Sequence, residues 1–286
     1  MVVRLKFKTP VKPKPGSPNR RLSHYTTLGG LVGIIESGCL WASNVSFLND
    51  SRELQHGIEA SLDAIERFLQ ERSTEKWHEP LKHAGRALKD GKVPNTYATC
   101  FCESPDLLSQ WRGYGGLEQG VSIQFDRRKL ETAFQSQGTQ LRPVIYGTLT
   151  ASSKMKKAIR EQLSALEEDR DFIEASSVRE LNDAAYKVLS QLIPQFKHNG
   201  FRDERESRLI VQHRTLRDGV SFRANKNVLV PYLKLGPLGE SELPIVGLMI
   251  GPGKDQVLTR RSVEMFLHKH GYASCKITLS QVPFRS

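Results

Sequence analysis

Three short stretches of this chain carry residue types that do chemistry. The first is Arg202-Asp203-Glu204-Arg205-Glu206-Ser207-Arg208, which leads into Leu209-Ile210-Val211. In an extended backbone Glu204, Glu206 and Arg208 share one face and Arg205 takes the other. Two carboxylates among arginines are costly to bury without a purpose. As a solvated edge strand, the same residues would form ion pairs worth about 0–1 kcal/mol each. The second stretch is His24-Tyr25-Thr26, where an imidazole and a hydroxyl two residues apart face the same side of a strand. The third is Gln110-Trp111-Arg112-Gly113-Tyr114-Gly115-Gly116, two aromatics and an arginine beside a pliable backbone. Carboxylates move protons or stabilise developing positive charge, and aromatic faces receive flat cations.

These groups need elements to hold them. Residues 22–27 read as a strand. Leu28, Leu31, Ile34 and Ile35 follow at helical spacing, and the helix stops at Gly38. Leu40-Trp41-Ala42-Ser43 is extended again. Asp50 with Glu53 resembles a capping box opening a helix whose Leu54, Ile58, Leu62, Ile65 and Leu69 form one stripe. Another helix spans 75–89. Strands are expected at 96–102, 121–125, 142–149, 207–213, 227–230, 244–250 and 276–279. A helical turn falls within 105–116, and a helix over 255–270 stops at Gly271. Residues 151–198 are charged and rich in Ala and Leu, which predicts two helices separated near Ala175-Ser176-Ser177. Clustered strands with inserted helices predict a single α+β domain.

Composition narrows the function classes. The chain has 286 residues, 38% hydrophobic and 26% charged, as soluble globular proteins do. It holds no apolar run of the roughly 20 residues that a membrane span needs and no secretory signal, so a cytoplasmic location is expected. Four cysteines (Cys39, Cys100, Cys102, Cys275) are too scattered for a disulfide framework. Cys100-Phe101-Cys102 lacks the second pair of a zinc site, so no metal is expected. The net charge is +11, of which residues 1–21 supply seven positive charges and no acid, leaving +4 for the rest. The basic excess therefore belongs to a Pro/Lys-rich tail, residues 1–20, which cannot bury enough surface to fold alone. Such a tail steers a protein to polyanions or merely keeps it soluble.

Other motifs fail on geometry. His78 and His83 are five apart rather than four and diverge around a helix, and Gly251-Pro252-Gly253-Lys254 is a turn rather than a phosphate loop. No Gly-x-Ser-x-Gly nucleophile elbow is present.

The three stretches occur together in an order that resembles a bacterial family, domain of unknown function 2971. The matching features are His24-Tyr25-Thr26, Leu40-Trp41, Leu48-Asn49-Asp50 with Glu53, Cys100-Phe101-Cys102, and Gln110-Trp111 with Tyr114. They continue with Gly120-Val121 and Phe125, Val144-Ile145-Tyr146, Glu204-x-Glu206-x-Arg208, Ile250-Gly251-Pro252, and Ser280 with Pro283-Phe284. Phe201 departs from a tryptophan common in such sequences. More distantly, a strand bearing histidine, a Leu-x-x-Ile-x-x-x-Gly helix and a Leu-Trp segment look like the start of ADP-ribosyltransferases. The likeness is to those that modify nucleic-acid bases or remove a phosphate from tRNA.

That likeness implies a central mixed or antiparallel split sheet of ADP-ribosyltransferase-like type over residues 21–286, with helices inserted at 51–90 and 151–198. It implies NAD as substrate. His24 would hold a ribose hydroxyl, with Tyr25 and Thr26 beside it on the NAD-binding strand. Tyr114 or Trp111 would face the nicotinamide, Glu206 would stabilise an oxocarbenium-like sugar, and Arg112 or Arg208 would pair with the pyrophosphate. Glu204 would orient or deprotonate the acceptor, possible nucleic acid met by the tail. A toxin or antiviral-defence role fits by analogy. The competing expectation is a non-enzymatic nucleic-acid- or protein-binding module, carried by the basic tail and the helices at 151–198.

Overall fold

A computed structural model describes residues 21–48, 51–91, 95–114, 119–135, 139–147, 151–168, 176–212, 219–225, 227–239 and 242–283, with backbone alone at 51–52 and 72–74. The basic tail, Asp50 of the expected capping box, Gly115, Gly116 and Phe284 lie outside the described residues.

Strand β1 (Arg21–Thr27) runs into helix α1 (Leu28–Ser37), which the Thr27 hydroxyl caps by accepting from the Gly30 amide at 3.2 Å. Gly38, at φ 59°, ends the helix in the left-handed region that glycine adopts without a steric penalty. Strand β2 (Leu40–Asn44) follows, then helices α2 (Ser51–Phe68) and α3 (His78–Lys89), and strand β3 (Thr96–Phe101). Helix α4 (Leu108–Tyr114), strand β4 (Gly120–Asp126), helix α5 (Arg127–Phe134) and strands β5 (Gln140–Pro143) and β6 (Ile145–Gly147) come next. Helices α6 (Ala151–Glu167) and α7 (Val178–Leu192) precede the short strand β7 (Phe196–His198) and a 3-10 turn at Asn199–Glu204. The chain closes with β8 (Ser207–Gln212), β9 (Val220–Asn225), β10 (Val228–Leu235), β11 (Ile245–Ile250), α8 (Gln256–Lys269) and β12 (Lys276–Leu279).

The fold is mixed α and β with several sheets: one ordered β1-β4-β11-β12, one ordered β5-β8-β3-β2-β10-β9, and the pair β6-β7. Neighbours in the first two are antiparallel except β11 and β12. One apolar core joins these two sheets through Leu22, Tyr97, Phe101, Ile123, Phe125, Leu209 and Ile250, with α1 and α8 packed on it. A second core lies among α2, α3, α6 and α7, around Phe68, Trp77, Met155, Leu163 and Leu189. The two helical insertions thus bury their stripes against each other.

Several elements differ from the sequence expectation. The strand expected over 142–149 breaks at Val144, whose amide donates to the Glu206 carbonyl at 2.9 Å. β5 stays beside β8, and β6 leaves to pair with β7. Residues 151–198 end not as helix but as β7. β9, with little apolar alternation, is extended because β10 pairs with it along its whole length. β10 continues through Pro231, one residue before β2 begins to pair. α5 forms where Asp126 accepts from the Lys129 amide at 3.1 Å.

Among the described residues the two large sheets exchange backbone hydrogen bonds at one point. Ser23 and Cys102 exchange backbone hydrogen bonds, each of 2.8 Å. β8 occupies one edge of β3, so β1 and β2 share the other: β2 takes Tyr97 and Ala98, and β1 takes Cys102. Cys100, between them, faces the opening where β1 and β2 diverge.

Candidate functional site

The opening is organised by what replaces the missing strand. The Cys100 carbonyl accepts a hydrogen bond from His24 Nδ1 at 2.9 Å. A carbonyl only accepts, so Nδ1 must carry the proton. Burial, aided by the Arg223 charge, pushes His24 down to about 4, so the ring is neutral at neutral pH. Its Nε2 is therefore a bare acceptor, with no hydrogen-bond partner among the described residues.

Helix α1 packs against Thr26 and Trp41 and needs its glycines to do so. A Cβ at Gly30 would stand 2.0 Å from Thr26 Oγ1, and one at Gly33 would stand 2.3 Å from the Trp41 ring. Glycine inside a helix costs about 0.5–1 kcal/mol relative to alanine; here it permits close approach to Thr26 and Trp41. Beyond Trp41 the register puts Ser43, Tyr232, Lys234, Ser221 and Arg223 on the same face of the sheet. Arg223 lies over Trp41 and Tyr232, and its Nη2 donates to Ser43 Oγ at 2.8 Å.

Across β3 the same face carries a buried ion cluster. Lys197 Nζ is 2.7 Å from Glu53, 2.7 Å from Glu204 and 3.0 Å from Glu206. Arg208 gives Nε to Glu206 at 2.6 Å and Nη2 to Glu206 at 3.0 Å and Glu53 at 2.6 Å. Its Nη1 donates to the Pro194 carbonyl at 2.7 Å. All five side chains are buried. Burial alone would raise Glu206, but Arg208 and Lys197 outweigh it and hold the carboxyl at about 2. Glu204, whose one cation partner is Lys197, is instead pushed up by burial. Lys197 is raised because the three carboxylates overcome its desolvation.

The backbone at Arg205 makes the convergence possible. It is the one non-glycine residue with positive φ (43°) among the described residues. Such a conformation costs of order 1–3 kcal/mol and persists where the surroundings demand it. Here it turns both Glu204 and Glu206 inward while Arg205 stays exposed. Outside the cluster, Glu206 also lines a cleft of about 450 Å³ with Tyr146, Glu103, Arg127, Arg202 and Arg205. The Tyr146 hydroxyl accepts from the Glu206 amide at 2.7 Å.

The sequence-derived candidates are thereby sorted. Cys100 links His24, Tyr114 and Glu206: its carbonyl holds His24, and Tyr114, raised by burial, lies near Cys100 and feels the Glu206 charge. Neither His24 nor Tyr114 lines the 450 Å³ cleft. Thr26 faces the same side as His24, against Gly30. Tyr25 faces the other way. Its hydroxyl donates to the Ser104 carbonyl and accepts from the Leu107 amide, both at 2.9 Å, and its ring meets Trp111 edge-on at 4.7 Å. Trp111 is fully buried, with Nε1 donating to Asp106 at 2.7 Å. These two aromatics brace the loop after β3, and Tyr114 is the more open of the central pair. Arg112 is exposed, whereas Arg208 is fully engaged within the cluster.

Three participants escaped the sequence reading. Glu53 looked like a capping residue, yet its carboxylate belongs to the ion cluster. Lys197 lay inside a predicted helix. Arg223 lay in no predicted element. The available signal was a lysine between aromatics, Phe196 and Phe201, just before three acids. Among the described residues no group of three or more His, Cys, Asp or Glu is placed to hold a metal ion, and no helix is long and apolar enough to cross a membrane.

Comparison with known proteins gives one match. The model of a family described as Protein of unknown function (DUF2971) matches residues 110–209, a segment from α4 to β8 that includes Lys197, Glu204, Glu206 and Arg208. This supports the resemblance to that family without assigning an activity. No curated protein and no solved structure matches.

Proposed function

We propose that the chain is an ADP-ribosyltransferase-like enzyme that binds NAD in the opening between β1 and β2. It would cleave the nicotinamide–ribose bond and pass ADP-ribose to a macromolecular acceptor. The observation that carries this reading is the neutral His24, fixed through Nδ1 to the Cys100 carbonyl, with Nε2 left to accept from a ribose hydroxyl. In the reaction the C1′–N bond breaks and its electron pair leaves with nicotinamide. A bond forms from the acceptor's oxygen or nitrogen to C1′, and the acceptor's proton is released. Glu206, ionised far below neutral pH, suits the role of a fixed negative charge for the oxocarbenium-like sugar. Glu204, with its raised pKa, suits proton transfer. Tyr114 offers the aromatic face for nicotinamide.

The test is nicotinamide release from NAD by the full chain, alone and with RNA, DNA and protein acceptors. Turnover should fall at least a hundredfold in His24→Ala and Tyr114→Ala while both variants keep their thermal midpoint within a few degrees. Intact NAD across the acceptor panel, together with no NAD-induced thermal shift, sinks the reading. A second reading, a non-enzymatic polyanion-binding module, rests on Arg127, Arg202 and Arg205 around the 450 Å³ cleft, which share its lining with Glu103, Asp203 and Glu206. It predicts salt-dependent RNA binding that survives His24→Ala.

A further inference from the structure

Arg223 is the group in this opening that the fold itself does not explain. It is partly buried, lies on the faces of Trp41 and Tyr232, and has no carboxylate partner among the described residues. The guanidinium carbon is 5.8 Å from the Trp41 centroid and 5.9 Å from the Tyr232 centroid, and those rings are 4.8 Å apart. Ser43 engages Nη2, and no other hydrogen bond to Arg223 occurs among the described residues. A guanidinium has five N–H donors, so most of its fork stays available. Burial without a counter-charge also lowers its pKa, the reverse of what happens to Arg208.

The surroundings select the sign of what would complete it. Among the described residues from β2 through β10 to β9, those sharing its face are Trp41, Ser43, Lys234, Tyr232, Val230, Val228, Ser221 and Asn225, with no acid and one further cation. His24, close enough to feel the Arg223 charge, is neutral and presents an acceptor. A partly desolvated cation over two aromatic rings, hydrogen-bonded to a serine hydroxyl and with an exposed lysine on the same sheet face, fits a phosphate oxygen pair.

We propose that Arg223, backed by Trp41 and Tyr232 and steadied by Ser43, is the subsite for the phosphate or pyrophosphate of the ligand that enters between β1 and β2. This rests on the reading of that opening as the ligand site. It transfers the pyrophosphate role from Arg208 and Arg112 to a residue on β9.

The experiment is calorimetric titration of the full chain with inorganic pyrophosphate, and separately with ADP, at about 0.15 M salt to suppress loose binding to basic residues. Arg223→Gln should weaken both at least tenfold, with its thermal midpoint near that of the parent. Arg223→Lys keeps the charge but loses the planar fork, and should weaken both several-fold; it serves as the deciding variant if Arg223→Gln does not fold. Unchanged affinity in a folded Arg223 variant, or no measurable binding of either probe to the parent, overturns the subsite. NAD cleavage persisting at parental rate and KM in Arg223→Gln would remove the subsite and leave the enzymatic reading standing. Arg223-dependent pyrophosphate binding without NAD cleavage would do the opposite.

Discussion

The two halves of the polar sheet face treat arginine in opposite ways. On β8, Arg208 is fully buried, with bonds to Glu206, Glu53 and a main-chain carbonyl. On β9, Arg223 is partly exposed and has one hydroxyl and two ring faces. The first arrangement is complete within the protein, because a charge taken out of water must be paired on the spot. The second is incomplete, and a ligand can complete it. The cluster ties α2, β7, the 3-10 turn and β8 into one joint. The opening between β1 and β2 is left with groups that still have bonds to make.

Removing one member of each arrangement should separate them most sharply. Arg208→Met leaves Glu53 and Glu206 buried with Lys197 as their remaining cation partner, and should cost about 3–5 kcal/mol. Urea denaturation would show this as a lower midpoint at unchanged slope. Arg223→Gln strands no buried carboxylate, so its cost should stay within about 1 kcal/mol. Equal costs for the two would mean that Arg223 is as structural as Arg208.

The next effect tests whether α1 is shaped for the opening. Gly33→Ala gains helix propensity worth about 1 kcal/mol but drives a methyl into the Trp41 ring, an overpacking that typically costs about 1–3 kcal/mol. A net loss of stability is expected, with weaker pyrophosphate binding as Trp41 shifts beneath Arg223. Gly29→Ala is the control: its nearest neighbour would be Thr27 Oγ1 at an ordinary 3.7 Å, so it should be neutral or mildly stabilising. Matching thermal shifts in the two variants would remove the argument for close approach.

What could be read beforehand divides along the same line. β1, α1 and β2 were legible because each announces itself locally, by alternation or helical spacing. The Glu204–Arg208 segment showed its charge density but not its backbone, which is a 3-10 turn through Glu204 and a left-handed Arg205 rather than extended. The ion cluster was half legible. Glu206 and Arg208 are neighbours in sequence, whereas Glu53 and Lys197 reach them only because α2 and β7 fold back over β8, and nothing local encodes that return. Glu53 also satisfied a helix-start pattern, and that local explanation hid a long-range one. Arg223 was the least legible. Its strand is held by its partner rather than by its own alternation, and its meaning comes from Trp41, about 180 residues earlier, and from Tyr232 across the hairpin. The resemblance gave Trp111 and Tyr25 a place at the NAD, and the structure has them brace Asp106 and Ser104.

A smaller effect concerns His24 and pH. Its folded value, about 4, lies below the ordinary 6.5 of a free histidine, so the unfolded chain takes up the proton first. Stability from keeping His24 neutral is fully present above pH 6.5 and is lost as pH falls toward 4. The loss from this group between pH 6.5 and 5.5 should be about 1 kcal/mol. His24→Asn keeps a donor for the Cys100 carbonyl and cannot titrate, so it should flatten that part of the stability profile. An identical slope in parent and variant would show that His24 is solvated enough to titrate normally.

The smallest expected effect bears on the cluster's arithmetic. Three carboxylates meet two cations, and Glu204 has the fewest partners: Lys197 holds it at 2.7 Å, and Arg208 does not reach it. Burial raises its pKa, so the ionised form costs stability near neutral pH and protonation relieves the excess charge. For this group stability rises as pH falls through the folded pKa, opposite to Glu206, whose depressed value makes stability fall as pH drops from about 4.5 toward 2. Glu204→Gln balances the cluster and keeps an oxygen for Lys197. Its cost at pH 7 should lie within about 0.5 kcal/mol of zero, on the stabilising side if anything. Glu206→Gln also balances the count, but it breaks the two-pronged bond to Arg208 and should cost about 2 kcal/mol or more. If Glu204→Gln is neutral in denaturation and yet abolishes nicotinamide release, the spare carboxylate of an otherwise satisfied joint is there for proton transfer. If it is costly, the charge count is wrong and the cluster needs all three acids to hold α2 against β8.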